Sequence, residues 1–311
     1  MPPSAWSVEL PLRGVGGEPV DLWRTINSHG LVALPPMRID EETRALEVTL
    51  PLPAGRPRTV LVSETAGDRA LVSALGPRPS ARQGEHVLEA VAHILRLDED
   101  LSAFYALAAA DPDLSWSARG AGRMIRSATV FEDVVKTICT TNCTWSATER
   151  MVGALVEHLG EPATGAPKEG AYGHAFPSPE AMAEADEAFY RDVVRAGYRG
   201  AYLRSLAASV VERSVDLEEL SRAAAEDIPD EEVAARLLAL PGVGPYAAAH
   251  IMMMLGRYSR LILDSWTRPK YARLNGGRPL KDTTIERRFR RYGLYAGLAF
   301  WLHLTRDWVE D

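Results

Sequence analysis

The sequence predicts an α+β chain in which an antiparallel sheet comes first and a long series of helices follows. Residues 8–75 contain five short apolar segments separated by Pro, Gly and an acidic turn at 40–43, a pattern typical of strands. From His86 onward, apolar residues recur at helical spacing. A length of 311 residues allows two domains. We therefore predict a sheet domain over residues 1–80 and a helical region over 81–311.

The strands and helices follow from these patterns in chain order. The predicted strands are VELPL, LVALPPMRI, ALEVTLPL, RTVLVSE and RALVSAL, and the helical stretch VDLWRTINSHG interrupts them and ends in a glycine that suits a helix C-cap. The predicted helices are HVLEAVAHILRL, LSAFYALAAA, FEDVVKTICTTN, ATERMVGALVEHL, SPEAMAEADEAFYRDVVRAG, GAYLRSLAASVVERS, LEELSRAAAED, EEVAARLLAL, PYAAAHIMMML and YGLYAGLAFWLHLTRDWV. The longest linker runs from Gly160 to Pro179, and Ser178 followed by Pro179 indicates a helix start.

The charge of the chain is unevenly distributed. The net charge is −7, which argues against a polyanionic partner if it is spread evenly. The last 72 residues, however, carry 12 basic and 6 acidic side chains, a net +6, which leaves −13 on the rest. This C-terminal segment is either a binding face for an anionic partner or a solvated basic face.

The two cysteines, Cys139 and Cys143, are too few for a four-cysteine zinc or iron–sulfur site, and we expect unbridged thiols and no metal. No secretion signal or membrane-spanning segment is apparent. We therefore expect a cytoplasmic protein without a membrane partner.

The most informative segment is LLALPGVGPYAAAHIMMMLG, in which two apolar helices flank a short turn. Gly242 and Gly244, on either side of Val243, permit a hairpin tight enough to turn backbone N–H groups outward. Pro245 suits the first turn of the second helix. The amides and the positive helix end predict a site for a phosphate oxygen. The alternative is a plain helix–loop–helix joint with a glycine cap.

Asp264 follows an apolar stretch and precedes a helix start. It can serve as an N-cap that accepts the amides of the next turn. It can also act as a carboxylate that stabilises a cationic sugar and orients a water molecule. The two roles are compatible.

These motifs together resemble the helix-hairpin-helix-GPD superfamily of DNA repair glycosylases. The hairpin LPGVG, its following helix and the spacing to Asp264 match that family's signature. FEDVVKTICTTNCTW, GYRGAYLRSLA and FRRYGLYAGLAFWLHL resemble helices of the eukaryotic-type 8-oxoguanine glycosylases. The first part is similar to the TBP-like antiparallel sheet domain shared with the bacterial inducible 3-methyladenine glycosylase. The likeness is firm over residues 121–308.

The resemblance implies a monomeric DNA glycosylase that extrudes a damaged base from double-stranded DNA, with Asp264 as its catalytic carboxylate. Bifunctional members carry a lysine where this chain has Tyr246, and tyrosine cannot form a Schiff base, so we expect hydrolysis without lyase chemistry. No redox cofactor or catalytic metal is implied, although an alkali cation often bridges the family's hairpin to the DNA backbone.

Other DNA contacts are carried over position by position. Asn142 matches the asparagine that fills the gap left by the flipped nucleotide, and Tyr198 and Arg199 match the pair near the opposite base. A second arginine that helps to read an opposite cytosine is replaced by Ala147. The remaining DNA-binding residues that we predict are Gly242, Val243, Gly244, Tyr246 and Arg268.

The base pocket departs most from the 8-oxoguanine glycosylases. His250 replaces a cysteine that packs on the base, Phe300 replaces the base-reading glutamine, and Leu304 replaces a phenylalanine. Loss of the glutamine removes a paired hydrogen-bond reader. Phe300 and Trp301 can instead stack on an electron-poor base such as a methylated purine, or they simply fill the core. We expect an alkylated or oxidised purine as substrate, with a deaminated base and uracil as open alternatives. A DNA substrate also implies association with the nucleoid if the protein is bacterial. The alternative is a non-enzymatic protein that uses the hairpin only to bind DNA or sense lesions.

Overall fold

The computed structural model describes residues 6–66, 68–224 and 226–309 and confirms the predicted α+β class. The sheet consists of β1 (Trp6–Pro11), β2 (Met37–Asp40), β3 (Ala45–Leu50), β4 (Arg58–Thr65) and β5 (Arg69–Ala74). Its strand order is β1-β5-β4-β3-β2, and every neighbouring pair is antiparallel. Strands β2 to β5 therefore form a meander, and β1 pairs with β5 at its edge.

Helices are the main regular structure of the remaining described chain. Their bounds are α1 Leu22–Ile26, α2 Ala81–Ile94, α3 Ser102–Ala109, α4 Val130–Thr140, α5 Trp145–Leu159, α6 Pro179–Glu184, α7 Arg199–Val211, α8 Glu218–Arg222, α9 Asp230–Leu238, α10 Pro245–Met254, α11 Thr267–Leu274, α12 Asp282–Phe289 and α13 Ala296–Thr305. None of the described helices is long and apolar enough to cross a membrane.

Five details differ from the sequence-based expectation. The strand predicted over residues 31–39 is reduced to β2, because Gly30–Ala33 forms a 3₁₀ turn, and the helix predicted over residues 178–197 is interrupted, with α6 ending at Glu184 and a π-helical turn at Phe189–Val193. The glycine cap predicted for the first helix is wrong, because α1 ends at Ile26 with Asn27 as its cap and Gly30 opens a separate 3₁₀ turn. Helix α12 was not predicted, since only Ile285 and Phe289 of its eight residues are buried. The last predicted helix is broken at Gly293, whose φ of 56° and ψ of −124° are not helical.

The described residues bury three apolar cores. The first lies under the sheet and includes Val87 and Val91 of α2. The second joins α4, α5, α7, α9 and one face of α10. The third joins α3, α11, α12, α13 and the other face of α10. Helix α10 thus stands between the two helical cores, and Tyr246 near its N-terminus packs against both.

Candidate nucleic-acid and catalytic site

The hairpin between α9 and α10 is a tight turn whose shape is set by a proline and a glycine. The N–H of Val243 donates to the carbonyl oxygen of Leu240 at 3.2 Å, and Gly242 has a φ of +81°. Proline second and a left-handed glycine third are the features of a type II turn. A Cβ on Gly242 would lie 2.8 Å from Cδ2 of Tyr202. Glycine is therefore required at this position for both conformation and space.

The hairpin leaves polar backbone groups without partners. Within the described residues, the N–H groups of Gly242 and Gly244 donate no hydrogen bond, and helix α10 begins immediately afterwards at Pro245. Free amides at a positive helix end form a binding site for a phosphate oxygen. The carbonyl oxygens of Gly242 and Val243 accept no hydrogen bond from the described chain either. Such oxygens suit an alkali cation, which would supply positive charge to the same phosphate.

Asp264 is held in place by a reciprocal set of hydrogen bonds at the start of α11. Its Oδ1 accepts from the N–H of Trp266 at 2.8 Å and of Thr267 at 2.7 Å, while its own N–H donates to Oγ1 of Thr267 at 2.8 Å. These bonds fix the carboxylate in the manner of a capping box. Its Oδ2 has no hydrogen-bond or ion-pair partner among the described residues. One oxygen is thus committed to the helix, and the other is available to a ligand.

A cleft of about 610 Å³ joins the hairpin to Asp264. It lies between the α4–α5 turn, the start of α7, the start of α10 and the segment that precedes α11. The residues of the predicted site that line it are Asn142, Tyr198, Gly242, Gly244, Tyr246, Asp264 and Arg268. Segments more than 120 residues apart in sequence therefore contribute to a single cavity.

Tyr246 faces this cleft without an amine beside it. Its hydroxyl is 3.5 Å from Oγ1 of Thr140, and burial, with a smaller contribution from the Asp264 carboxylate, raises its pKa. The phenol therefore stays neutral at physiological pH. No lysine lines the cleft. Lys136, on α4, is fully buried and pairs with Glu132 at 2.7 Å.

The turn that carries Asn142 is connected to the start of α7. Asn142 is exposed, has a φ of +48°, and donates from Nδ2 to the hydroxyl of Tyr198 at 3.4 Å. Tyr198 is 53% exposed, whereas Arg199 is only 7% exposed and donates to the carbonyl oxygen of Thr141. The two neighbours predicted to act as a pair therefore differ in exposure, although the Arg199 guanidinium lies 4.6 Å from the centre of the Tyr198 ring.

The predicted base-pocket residues divide into two groups. His250 lies between Tyr246 and Trp301, with ring centroids 6.0 Å and 6.3 Å away, and Trp301 lies 5.7 Å from Trp266. This aromatic cluster adjoins the cleft through Tyr246. Burial lowers the pKa of His250 to about 4, which keeps its ring neutral.

Phe300 and Leu304 are fully buried in the third core. The ring of Phe300 lies 5.1 Å from that of Phe289 and 5.7 Å from that of Tyr271. Neither Phe300 nor Leu304 lines the cleft, and His250 and Trp301 do not line it either. The roles predicted for these four residues remain predictions.

A second cavity, of about 490 Å³, adjoins the first and shares Tyr246 and Arg268 with it. Nε and Nη2 of Arg268 donate to Oδ1 and Oδ2 of Asp282 on α12, each at 2.8 Å. Arg260 and Arg290 also line this cavity and have no ion-pair partner among the described residues. The basic C-terminal segment therefore offers some free charge beside the hairpin, while part of it is internally neutralised.

Sequence reasoning missed Tyr202 and Trp266. Tyr202 lies in the cleft against Gly242, with its ring 5.8 Å from that of Tyr198. The two tyrosines are four residues apart on one helix, a spacing that places them on the same face. That signal could have identified Tyr202. Trp266 follows Asp264 by two residues, and its 37% exposure could not be read from the sequence.

Comparison with solved structures places the fold. The MBOgg1 protein in complex with a low-affinity DNA ligand is 19% identical with a TM-score of 0.72, over 97% of this chain and 96% of that one. The 3-methyladenine DNA glycosylase from Archaeoglobus fulgidus is 20% identical with a TM-score of 0.69, over 98% and 100%. The 8-oxoguanine glycosylase/lyase from Clostridium acetobutylicum is 19% identical with a TM-score of 0.71, over 96% and 95%.

A comparison with curated proteins gave no significant match. The family model described as HhH-GPD superfamily base excision DNA repair protein matches residues 135–298, which run from α4 through the hairpin and Asp264 into α13. Since that match spans more than half of the chain, the protein belongs to the HhH-GPD superfamily of base excision DNA repair proteins.

Proposed function

We propose that the protein is a monofunctional DNA glycosylase that removes a damaged base, most readily an alkylated purine, from double-stranded DNA and acts as a monomer. The observation that carries the proposal is the placement of Asp264, with its free Oδ2, in one cleft with the unpartnered amides of the hairpin. Phosphate binding and charge stabilisation are thereby available within the same cavity.

In the proposed mechanism the hairpin amides of Gly242 and Gly244 hold the DNA backbone, and Asn142 occupies the space left by the extruded nucleotide. The bond between C1′ and the base nitrogen breaks, and its electron pair leaves with the base. The positive charge that develops on the sugar is stabilised by Asp264. Water then adds to C1′, and Oδ2 of Asp264 accepts its proton.

Hydrolysis rather than strand cleavage is supported by the absence of a lysine in the cleft. Lyase chemistry of this kind requires an amine that forms a Schiff base with C1′. Tyr246, held beside Thr140, supplies a neutral phenol instead. The product is then an intact strand with an abasic sugar.

The preference for an alkylated base is supported by Tyr246, which lines the cleft, and by His250, Trp301 and Trp266, which form an aromatic cluster behind it. Electron-rich ring faces attract a cationic ring such as a methylated purine. A neutral His250 does not repel that charge. The similar solved structures include one 3-methyladenine glycosylase and one 8-oxoguanine glycosylase/lyase, so an oxidised purine is the natural comparison substrate.

The proposal is tested with a panel of duplexes, each with a single alkylated, oxidised or deaminated base, followed by hot-alkali cleavage. We expect cleavage only after alkali and most rapidly for an alkylated purine. In parallel, borohydride is added during the reaction. A covalent adduct would refute hydrolysis, and release of an oxidised base alone would refute the substrate preference.

A second candidate is a DNA-binding protein without catalysis. It is favoured by the cap that Asp264 forms on α11, which alone accounts for an aspartate at that position. Tight binding to lesion duplexes without base release from any member of the panel would establish this alternative.

A further inference from the structure

Arg199 is the first residue of α7, and its charged group is directed into the protein. Its Nη2 donates to the carbonyl oxygen of Thr141, and its Nη1 donates to that of Ala196 at 3.5 Å. The guanidinium also lies 4.6 Å from the centre of the Tyr198 ring, which covers it. With 7% of the residue exposed, little of this cation is accessible to a phosphate or a base.

The carbonyl that Arg199 holds belongs to the turn between α4 and α5. Thr141 leaves the helix in an extended conformation, and Asn142 then adopts the left-handed region at φ +48°. Asparagine tolerates that region better than most residues other than glycine, and contacts with its surroundings stabilise it there. The contact of Arg199 with Thr141 is a restraint of this kind, and it acts on the residue immediately before Asn142.

The same part of α7 also reaches the hairpin. Tyr198 accepts a hydrogen bond from Asn142 on one side, and its ring contacts that of Tyr202 on the other. Tyr202 in turn packs against the backbone at Gly242. A continuous set of contacts therefore runs from the Asn142 turn through α7 to the phosphate-binding hairpin.

We propose that Arg199 is a positioning residue that does not contact DNA and that fixes the Asn142 turn and Tyr198 relative to the hairpin, so that Asn142 can enter the duplex as the base leaves. This inference rests on the proposed function to the extent that the cleft acts on DNA. The exposed groups that remain for contact with DNA are the amide of Asn142 and the phenol of Tyr198, and each can both donate and accept hydrogen bonds.

Salt dependence separates positioning from direct contact. An arginine that binds a phosphate releases counterions, and its removal reduces the slope of log K against log salt by about 0.9. A positioning residue leaves that slope unchanged and lowers the rate at saturating DNA, by roughly tenfold to hundredfold for a misplaced group. We therefore expect Arg199→Met to have the slope of the unchanged protein, a similar KM and a reduced kcat.

The experiment uses the full chain and a duplex with 2-aminopurine beside the lesion. Fluorescence anisotropy at several salt concentrations gives the slope, stopped-flow fluorescence gives the rate of base extrusion, and alkali cleavage gives the rate of release. Arg204→Met removes the same charge from an exposed position of α7 and is the matched control. Arg199→Lys retains a donor for Thr141 and should restore part of the extrusion rate, even if Arg199→Met folds poorly.

A slope reduced by about 0.9 in Arg199→Met, with unchanged extrusion, would overturn the inference and assign Arg199 to a phosphate. Extrusion that is equally fast in Arg199→Lys, Arg199→Met and the unchanged protein would overturn it as well. If the unchanged protein extrudes the base without releasing it, the proposed hydrolysis fails while the role of Arg199 is still measured by extrusion.

Discussion

Replacing Asp264 by Asn removes a charge from the cleft while preserving the shape of the side chain. The amide oxygen of Asn can take the place of Oδ1 and accept from the N–H groups of Trp266 and Thr267. Asn and Asp are about equally good N-cap residues, so the free energy of unfolding should change by less than about 1 kcal/mol. Asp264→Ala, which also removes the cap, should cost about 1 kcal/mol.

The effect on base release should be far larger. A carboxylate about 4 Å from a cationic sugar contributes about 4 kcal/mol at an effective dielectric constant of about 20. At 1.36 kcal/mol for each factor of ten, this corresponds to about a thousandfold in rate. DNA affinity should be unchanged or higher, because a negative charge is removed from the cleft that we propose binds the DNA phosphates.

The assay is base release under single-turnover conditions with enzyme in excess, combined with thermal melting and anisotropy. Asp186→Asn is the matched control, since Oδ1 of Asp186 also accepts a backbone N–H, that of Phe189 at 2.7 Å, but lies outside the cleft. A release rate for Asp264→Asn within about threefold of the control would refute the catalytic assignment, because loss of a transition-state charge must slow the reaction.

Three further predictions concern the hairpin, pH and salt. Gly242→Ala should destabilise the protein and weaken DNA binding, because φ is +81° and the new Cβ would lie too close to Tyr202. Gly153→Ala within α5, where a Cβ meets no atom within 4 Å, should instead stabilise the protein by about 0.5–1 kcal/mol in urea unfolding. Burial lowers the pKa of His29 to about 3 and that of His250 to about 4, from 6.5. Because the unfolded chain binds more protons below pH 6.5, the free energy of unfolding should fall as the pH drops from 6.5 towards 4. The fall should be less steep in His250→Phe. DNA affinity measured by anisotropy should fall steeply with salt, and a flat response would contradict binding through phosphates.

The local structure of the hairpin and of the Asp264 cap could be predicted because it depends on local chemistry. A proline before a glycine specifies the turn between α9 and α10, and an aspartate before a helix specifies the cap at α11. The sheet and the helical series follow from apolar periodicity in the same way. The domain boundary at residue 80 stays a prediction, since α2 beyond it contributes Val87 and Val91 to the core of the sheet.

The directions of side chains could not be predicted in this way. Successive residues on a helix point about 100° apart, so Phe300 enters the third core while Trp301 contacts His250. Arg199 turns inward because an unpaired carbonyl at Thr141 lies within its reach, a contact between residues 58 apart. Such choices depend on tertiary neighbours, which a single sequence does not specify.

Helix α10 has a consequence for how the enzyme can be altered. Met253 belongs to one helical core and Met252 to the other, while the N-terminus of the same helix lines the cleft beside the hairpin. The two helical cores are therefore connected by a rigid helix and not by a flexible linker. Substitutions at the buried C-terminal end of α10 should therefore tilt its N-terminal end. A packing defect far from DNA would then change the position of the hairpin. Variants with altered lesion preference are accordingly better sought on α7, which lines the cleft through Tyr202 without belonging to both cores.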